Sequence, residues 1–188
     1  MEQPKYVLRF NEAVLVAKES KIITIRRSIW VIAAIIIIAS FIFRENMLRE
    51  LSWPVRVILF SLCIGTLFIP GRERKPFPME VRFYDSYLVV YREKYVYSKR
   101  LSRKMIDKFM YSDIHEIMFR KRAQRINIYG VVEGIWYNYN RDGTLPEAPT
   151  YHKTTDSISY FYTMFAQDVD FVKEFERHCP VKVTISDT

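Results

Sequence analysis

Cysteine, histidine and glycine are scarce in this chain, whose 188 residues include two, three and five of them. Cys63 lies within an apolar run and Cys179 near the C-terminus, so we expect two reduced thiols and no disulfide framework. The histidines, at positions 115, 152 and 178, lack the paired spacing of metal ligands. Phosphate-binding glycine loops, Gly-x-Ser-x-Gly motifs and zinc-protease helices are also missing. The sequence therefore predicts no enzyme, no metal and no cofactor.

Two pairs of residues near the C-terminus could still suggest catalysis. His178 and Cys179 are a base and a nucleophile, but adjacent residues of a helix project about 100° apart. We interpret His178 as a cation near a helix C-terminus and Cys179 as a small apolar contact. Asp168 and Asp170 could form a carboxylate pair, but acidic residues also suit the start of a helix, which is our interpretation.

Two apolar runs lie in the first half of the chain. No charged residue occurs in Ser28–Phe43, and the second run is Val57–Ile69. Neither run reaches the roughly 20 residues of a spanning helix, so the prediction extends both into their flanks, with Arg26 and Arg27 at headgroup level. Ile35–Ile38 is apolar on every face of a helix, which favours lipid over burial in a small core.

These runs predict a two-helix transmembrane hairpin over residues 28–70. Eight Lys and Arg residues flank its outer ends and three lie in its loop, which predicts both termini in the cytoplasm of a multi-pass plasma-membrane protein. We divide the chain into an N-terminal segment (1–27), the hairpin (28–70) and a cytoplasmic domain (77–188). Tyr6–Phe10 is typical of a short strand, which could add to the sheet of that domain.

From Phe77 onward, alternating aromatic and β-branched residues predict strands. The predicted strands are Met79–Phe83, Tyr87–Tyr97, Lys104–Tyr111, Asp113–Phe119, Arg125–Tyr129, Val131–Tyr139 and Ser157–Phe165. Asn140–Asp156 holds the turn residues of a long loop. Apolar residues spaced by three and four after Asp168 predict one amphipathic helix, which Pro180 ends.

A resemblance to a known family rests on a Tyr-x-Asp-Ile step within the strand series, here Tyr111–Ile114, and on the single C-terminal helix. These features resemble a bacterial pleckstrin-homology-like (PH-like) domain. With the N-terminal segment and the hairpin, the layout resembles that of YcxB-like membrane proteins. The resemblance implies a membrane-anchored α+β fold: a two-helix transmembrane hairpin, then a PH-like β-barrel of about seven strands capped by a C-terminal amphipathic helix. It implies no catalytic residues.

Positive charge concentrates after the second apolar run, since residues 71–125 carry fifteen basic and seven acidic residues in a chain of net charge +8. A basic series on one predicted hairpin could contact anionic headgroups or a partner, or could be a solvated surface. Its members are Arg92, Lys94, Lys99, Arg100, Arg103, Lys104 and Lys108. Without a recognisable reading helix, nucleic acid is not a predicted partner.

Aromatic residues provide the second candidate surface. Alternation places Tyr137 and Tyr139 on one face of a strand and Trp136 on the other. One set is expected in the core, and the other could bind a protein partner because Tyr and Trp are frequent interface anchors.

The sequence thus predicts a non-enzymatic, membrane-anchored interaction module that presents a PH-like domain to protein partners or anionic headgroups. One alternative is a structural or regulatory subunit of a larger membrane assembly, held through the hairpin. An enzyme is the other alternative. Membrane lipid and an unidentified protein are the predicted partners, and a homo-oligomer stays open.

Overall fold

The computed structural model describes residues 2–17, 21–42, 52–67, 72–98 and 101–187. Two compact units divide the chain: Ala17–Glu73 is one, and Met1–Val16 together with Arg74–Thr188 is the other. The strands are β1 (Tyr6–Ala17), β2 (Arg72–Phe83), β3 (Tyr87–Ser98), β4 (Leu101–Arg120), β5 (Arg125–Asn138), β6 (Tyr151–Tyr162) and β7 (Val183–Ser186). The helices are α1 (Lys21–Ile42), α2 (Trp53–Leu67) and α3 (Phe171–His178).

Helices α1 and α2 form the smaller unit, where they contact each other. Pro54 lies in the first turn of α2, where its missing N–H costs the helix no hydrogen bond. Large apolar side chains remain exposed on both helices, including Ile35 on α1 and Trp53 and Phe60 on α2.

None of the helices described is long and apolar enough to cross a membrane. The predicted transmembrane hairpin over residues 28–70 is therefore wrong, and so are the integral-membrane class, the membrane-lipid partner and the multi-pass location with both termini in the cytoplasm. Helix α2 has 15 residues and is about 22 Å long, against about 30 Å of hydrocarbon. In α1, Arg26 and Arg27 leave Ser28–Ile42 as the longest stretch without charge, which is no longer than the whole of α2. The charged residues at the flanks of both runs leave apolar stretches that are too short for a span.

The larger unit is a seven-stranded sheet in which β1 to β6 pair in sequence order. The pairs from β2 to β6 are antiparallel, and β7 pairs in parallel with the second half of β4. Among the described residues, β1 and β6 are the two ends of this pairing path, so the predicted barrel of about seven strands is corrected to a sheet with a seam between them. Side chains meet across the seam, where the rings of Phe10 and Phe161 lie 5.2 Å apart.

Strand β4 joins two segments that the sequence predicts as separate strands. Its register against β5 shifts between Phe109 and Ile114 and again before Glu116. Gly130 lies opposite this bulge with a φ of +152°, and a Cβ there would lie 2.2 Å from the Asp113 carbonyl oxygen. Only glycine admits so close an approach of two backbones, so β4 bends here without ending.

The inner face of the sheet holds the core. Alternate residues of β2 and β3 are fully buried, among them Val81, Phe83 and Val90. Helix α3 covers this face with Phe171 and Phe175, and the ring of Phe175 packs edge-on against Phe83 at 5.3 Å. This helix is the amphipathic C-terminal helix that the spacing of apolar residues predicts.

Several boundaries differ from the sequence predictions, including those of β6 and β1. Strand β6 begins at Tyr151, inside the predicted loop 140–156, so that loop ends about six residues earlier. Strand β1 continues to Ala17, well beyond the predicted Tyr6–Phe10, and joins the sheet beside β2.

Candidate interaction surface

The outer face of the sheet carries the side chains that alternate with the core residues of β2 to β5. Directly opposite residues of an antiparallel pair share a face, so Glu80, Tyr91, Ile106 and Ile135 form one row across four strands. In the next row Lys108 stands between Val89 and Glu133. Because α3 packs on the inner face, it does not cover these rows.

Tyr91 is the centre of this face. The guanidinium carbon of Arg82 lies 3.8 Å from the centroid of the Tyr91 ring, and Lys104 Nζ lies 5.4 Å from it. The Tyr91 hydroxyl donates to the carboxylate of Glu93. One tyrosine therefore joins two cations and an acid from three neighbouring strands.

The same combination recurs beside Tyr91. Lys108 Nζ lies 4.6 Å from the ring centroid of Tyr87 and 3.7 Å from the carboxylate of Glu133. We name this region the tyrosine–cation surface. Its members are Arg82, Tyr87, Tyr91, Glu93, Lys104 and Lys108.

Cations of the tyrosine–cation surface are paired with acids of the surface or beside it. Lys104 lies 3.5 Å from Glu93, and Arg82 lies 2.7 Å from Glu80. These side chains are partly open to solvent, with exposures of 24% for Lys104 and 54% for Glu93. Cation–tyrosine contacts at such partly exposed sites contribute about 0.5–1 kcal/mol each, so the surface is held in a defined geometry while it remains accessible.

Burial and carboxylate neighbours raise the pKa of two tyrosines in this region, Tyr87 and Tyr139. Desolvation, followed by the hydrogen bond that its hydroxyl donates to Glu2 at 3.1 Å, raises the pKa of Tyr87 to about 12. Desolvation and Glu93 also raise the pKa of Tyr139. At neutral pH both hydroxyls are neutral, and neither adds negative charge beside the lysines.

The structure separates the predicted basic series. Lys104 and Lys108 lie on the tyrosine–cation surface, and Lys94 lies beside it with Nζ 5.6 Å from the Tyr139 ring. Arg103 contacts the ring of Trp136 at 5.2 Å. Two members, Lys99 and Arg100, lie outside the described residues.

Arg92 is the member whose placement differs most from a surface role, because its side chain is only 6% exposed. It donates from Nε to Glu12 at 2.6 Å and from Nη2 to the carbonyl of Tyr160 at 2.8 Å. Asp107 lies 3.7 Å from its Nη1. Burial opposes the charged form, but the two carboxylates outweigh it and the pKa of Arg92 is raised.

The three predicted aromatic residues are divided between the faces of β5. Trp136 lies on the inner face, where its Nε1 donates to Asp107 at 3.0 Å and its ring stacks on Tyr151 at 4.2 Å. Tyr137 lies opposite Lys104 on the outer face. Tyr139 donates from its hydroxyl to the Glu93 carbonyl at 3.0 Å, which ties the end of β5 to the tyrosine–cation surface.

Sequence reasoning missed Arg82, Tyr87, Tyr91 and Glu93 as site residues. A signal was present, because Tyr87, Tyr91 and Glu93 alternate with the apolar residues of β3 and so share a face. The contribution of Arg82 depends on the register between β2 and β3, which no local pattern specifies.

Two further features of the described residues bear on chemistry, a cleft and a buried thiol. A cleft of about 380 Å³ lies between the β4–β5 turn and the start of α3, lined by residues that include Gln124, Thr163 and Val172. Within the described part of the chain, no group of His, Cys, Asp and Glu residues could hold a metal ion. Cys179 is buried, and burial raises the pKa of its thiol to about 11, so the thiolate is scarce at neutral pH.

The larger unit is a mostly antiparallel β-sheet that carries the tyrosine–cation surface on its outer face. Comparison of the chain with protein-family models, with curated proteins and with solved structures found no match. The resemblance to YcxB-like proteins therefore stays a prediction.

Proposed function

We propose that this protein is a non-enzymatic interaction module that binds a protein partner through the tyrosine–cation surface. The observation that supports the proposal is the pair of cations on the ring of Tyr91, with Arg82 at 3.8 Å and Lys104 at 5.4 Å. Tyrosine and arginine are among the residues that contribute most at protein interfaces. Here they are already ordered by neighbouring acids, which lowers the entropy cost of binding.

The chemistry of the surface selects the kind of partner. Ile106 and Ile135 supply an apolar strip beside Tyr91, and lysines stand on either side of it along β4. A partner segment with carboxylates flanking an aliphatic or aromatic residue would match both features. Its carboxylates would compete with Glu93 and Glu133 for Lys104 and Lys108.

The proposal is tested with the full-length tagged chain and two charge-reversal variants. The surface variant carries Lys104→Glu and Lys108→Glu, and the matched control carries Lys121→Glu and Lys182→Glu, which alter exposed lysines outside the tyrosine–cation surface. We expect a stoichiometric partner to be captured by the unchanged chain and by the control but lost from the surface variant. Equal capture by all three chains, or capture by none, would contradict the proposal.

A second candidate function is favoured by the exposed apolar side chains of α1 and α2. Contiguous exposed apolar residues mark association sites, so these helices could hold the chain as a subunit of a larger assembly. The double variant Trp53→Ser and Phe60→Ser would then lose the captured partner, while the variant at Lys104 and Lys108 would keep it. These results are the reverse of those expected for the tyrosine–cation surface.

A further inference from the structure

Strand β6 presents an open edge. It pairs with β5 in one unbroken register from Arg125 opposite Tyr162 to Trp136 opposite Tyr151. No described strand pairs with its other edge, because β6 ends the pairing path. Residues 152–154 and 156–158 are exposed, including side chains on both faces of the strand. A long regular edge of this kind is a template for pairing with another strand.

The directions of the backbone groups along this edge follow from two hydrogen bonds. The N–H of Thr163 donates to the carbonyl of Gln124, just before β5, so Thr163 faces β5. The carbonyl of Tyr160 accepts from Arg92 and therefore points away from β5, towards the open edge. Backbone direction alternates along a strand. His152, Thr154 and Asp156 therefore have the direction of Tyr160 and present their N–H and C=O groups to the open edge.

The side chains of the same three residues are arranged for self-association. Two antiparallel strands related by a two-fold axis through Thr154 place His152 of each copy opposite Asp156 of the other, on the same face. Within one copy, His152 Nε2 lies 3.0 Å from Glu133 and His115 Nε2 lies 3.4 Å from Asp156. Across the axis these groups would form a row that alternates acid and base: Glu133, His152, then Asp156 and His115 of the second copy.

We propose that two copies of this chain associate by antiparallel pairing of their β6 edges, with Thr154 on the two-fold axis and His152 opposite Asp156. The pairing joins the two sheets into one continuous sheet and satisfies the backbone groups that the edge leaves open. It ends near Ser159, because Arg92 already occupies the carbonyl of Tyr160.

The register is tested by cross-linking the full-length chain. In a hydrogen-bonded antiparallel pair, opposite Cα atoms are about 5.5 Å apart, which fits a disulfide. Thr154→Cys should therefore give a covalent dimer under mild oxidation. Thr155→Cys and the unchanged chain, which retains Cys63 and Cys179, should give none. Cross-linking at position 155 in preference to 154 would overturn the register.

The charge complementarity is tested by reversal and rescue, with the dimer dissociation constant measured by sedimentation equilibrium. His152→Glu places a carboxylate opposite Asp156 at both of the symmetry-related positions. We expect this repulsion to weaken the dimer about tenfold. Asp156→Lys removes the acid opposite His152 in each copy and should weaken the dimer similarly. The double variant, His152→Glu with Asp156→Lys, restores opposite charges and should regain the dimer.

Two results would overturn the proposal. One is an unchanged chain that stays monomeric at every concentration reached. The other is a double variant no tighter than the single variants, while thermal unfolding shows that all of them are folded. Since this association uses the β6 edge, the variant at Lys104 and Lys108 should leave the dimer intact. A failure of the dimer proposal can therefore be distinguished from a failure of the proposed partner binding.

Discussion

Arg92 on β3 donates a hydrogen bond of 2.6 Å to Glu12 on β1, although the two residues are 80 positions apart in the chain. A second nitrogen of the same guanidinium donates to the Tyr160 carbonyl on β6. One buried side chain therefore connects both ends of the strand-pairing path. Asp107, with Ser159 and Trp136 as its own hydrogen-bond donors, completes the cluster.

Arg92→Met should destabilise the protein by about 3–5 kcal/mol, because it leaves the carboxylates of Glu12 and Asp107 buried without a counter-charge. The free energy of unfolding in urea measures the effect. As a control, Arg9→Met removes a side chain that is 74% exposed and pairs with Glu80, and it should cost less than about 1 kcal/mol.

The double variant, Glu12→Leu with Arg92→Met, separates charge from packing. Glu12→Leu removes one of the two carboxylates that Arg92→Met leaves buried without a counter-charge. The double variant should therefore be more stable than Arg92→Met alone. If it is less stable, Glu12 stabilises the seam through contacts other than its ion pair with Arg92.

Gly130→Ala should destabilise the fold by about 3 kcal/mol or more, because the new methyl group would meet the backbone of β4 at Asp113. Chemical denaturation measures the loss. Gly143→Ala is a matched control, since Gly143 also has a positive φ, +85°, but nothing lies within 4 Å of its Cβ position. A loss of the same size in both variants would show that backbone conformation matters here and the contact with β4 does not.

Glu80 gives the fold a dependence on acid pH. Burial opposes its ionisation, but hydrogen bonds from Arg9 and Arg82 outweigh burial and hold the pKa of Glu80 below its ordinary value of 4.5. A lowered folded pKa means that this stabilisation is present above pH 4.5 and is lost as pH falls through the folded pKa.

The midpoint temperature of thermal unfolding should therefore be lower for Glu80→Gln than for the unchanged protein at neutral pH. The two midpoints should converge below pH 4.5. Glu147→Gln, in the exposed loop before β6, should follow the unchanged protein throughout. A constant difference between Glu80→Gln and the unchanged protein at every pH would contradict the assignment.

Cys179 should react with iodoacetamide much more slowly than Cys63 in the folded chain. The Cys179 thiol is buried and its pKa is about 11, whereas Cys63 is half-buried on α2. Mass spectrometry of peptides after timed labelling gives both rates, and labelling in denaturant serves as the control. Equal rates in the folded chain would place Cys179 outside the core.

Alternation within single strands was enough to predict much of the sheet. Met79–Phe83 and Tyr87–Tyr97 lie within β2 and β3, and the inward residues Val81 and Phe83 are buried. The spacing of apolar residues likewise predicted α3, whose Phe171 and Phe175 reach the core.

Pairing between distant segments could not be predicted. Arg92 stands beside Glu93 and Lys94, so it was interpreted as part of a basic surface, whereas its partner Glu12 is far away in sequence. Lys104–Tyr111 and Asp113–Phe119 are predicted as separate strands, but Gly130 on the neighbouring strand lets β4 continue through a bulge. Strand β7 follows Pro180 and has four residues, too few for a periodic pattern.

The location of Ala17–Glu73 between β1 and β2 makes the larger unit discontinuous in sequence. During synthesis β1 leaves the ribosome first, but its neighbour β2 follows only after the whole helical unit, some seconds later at about 5–20 residues per second. Core residues of β1 such as Leu8 and Phe10 stay without their sheet for that time. Completion of the helical unit therefore precedes sheet closure, and slow translation through it lengthens the exposure of an apolar strand.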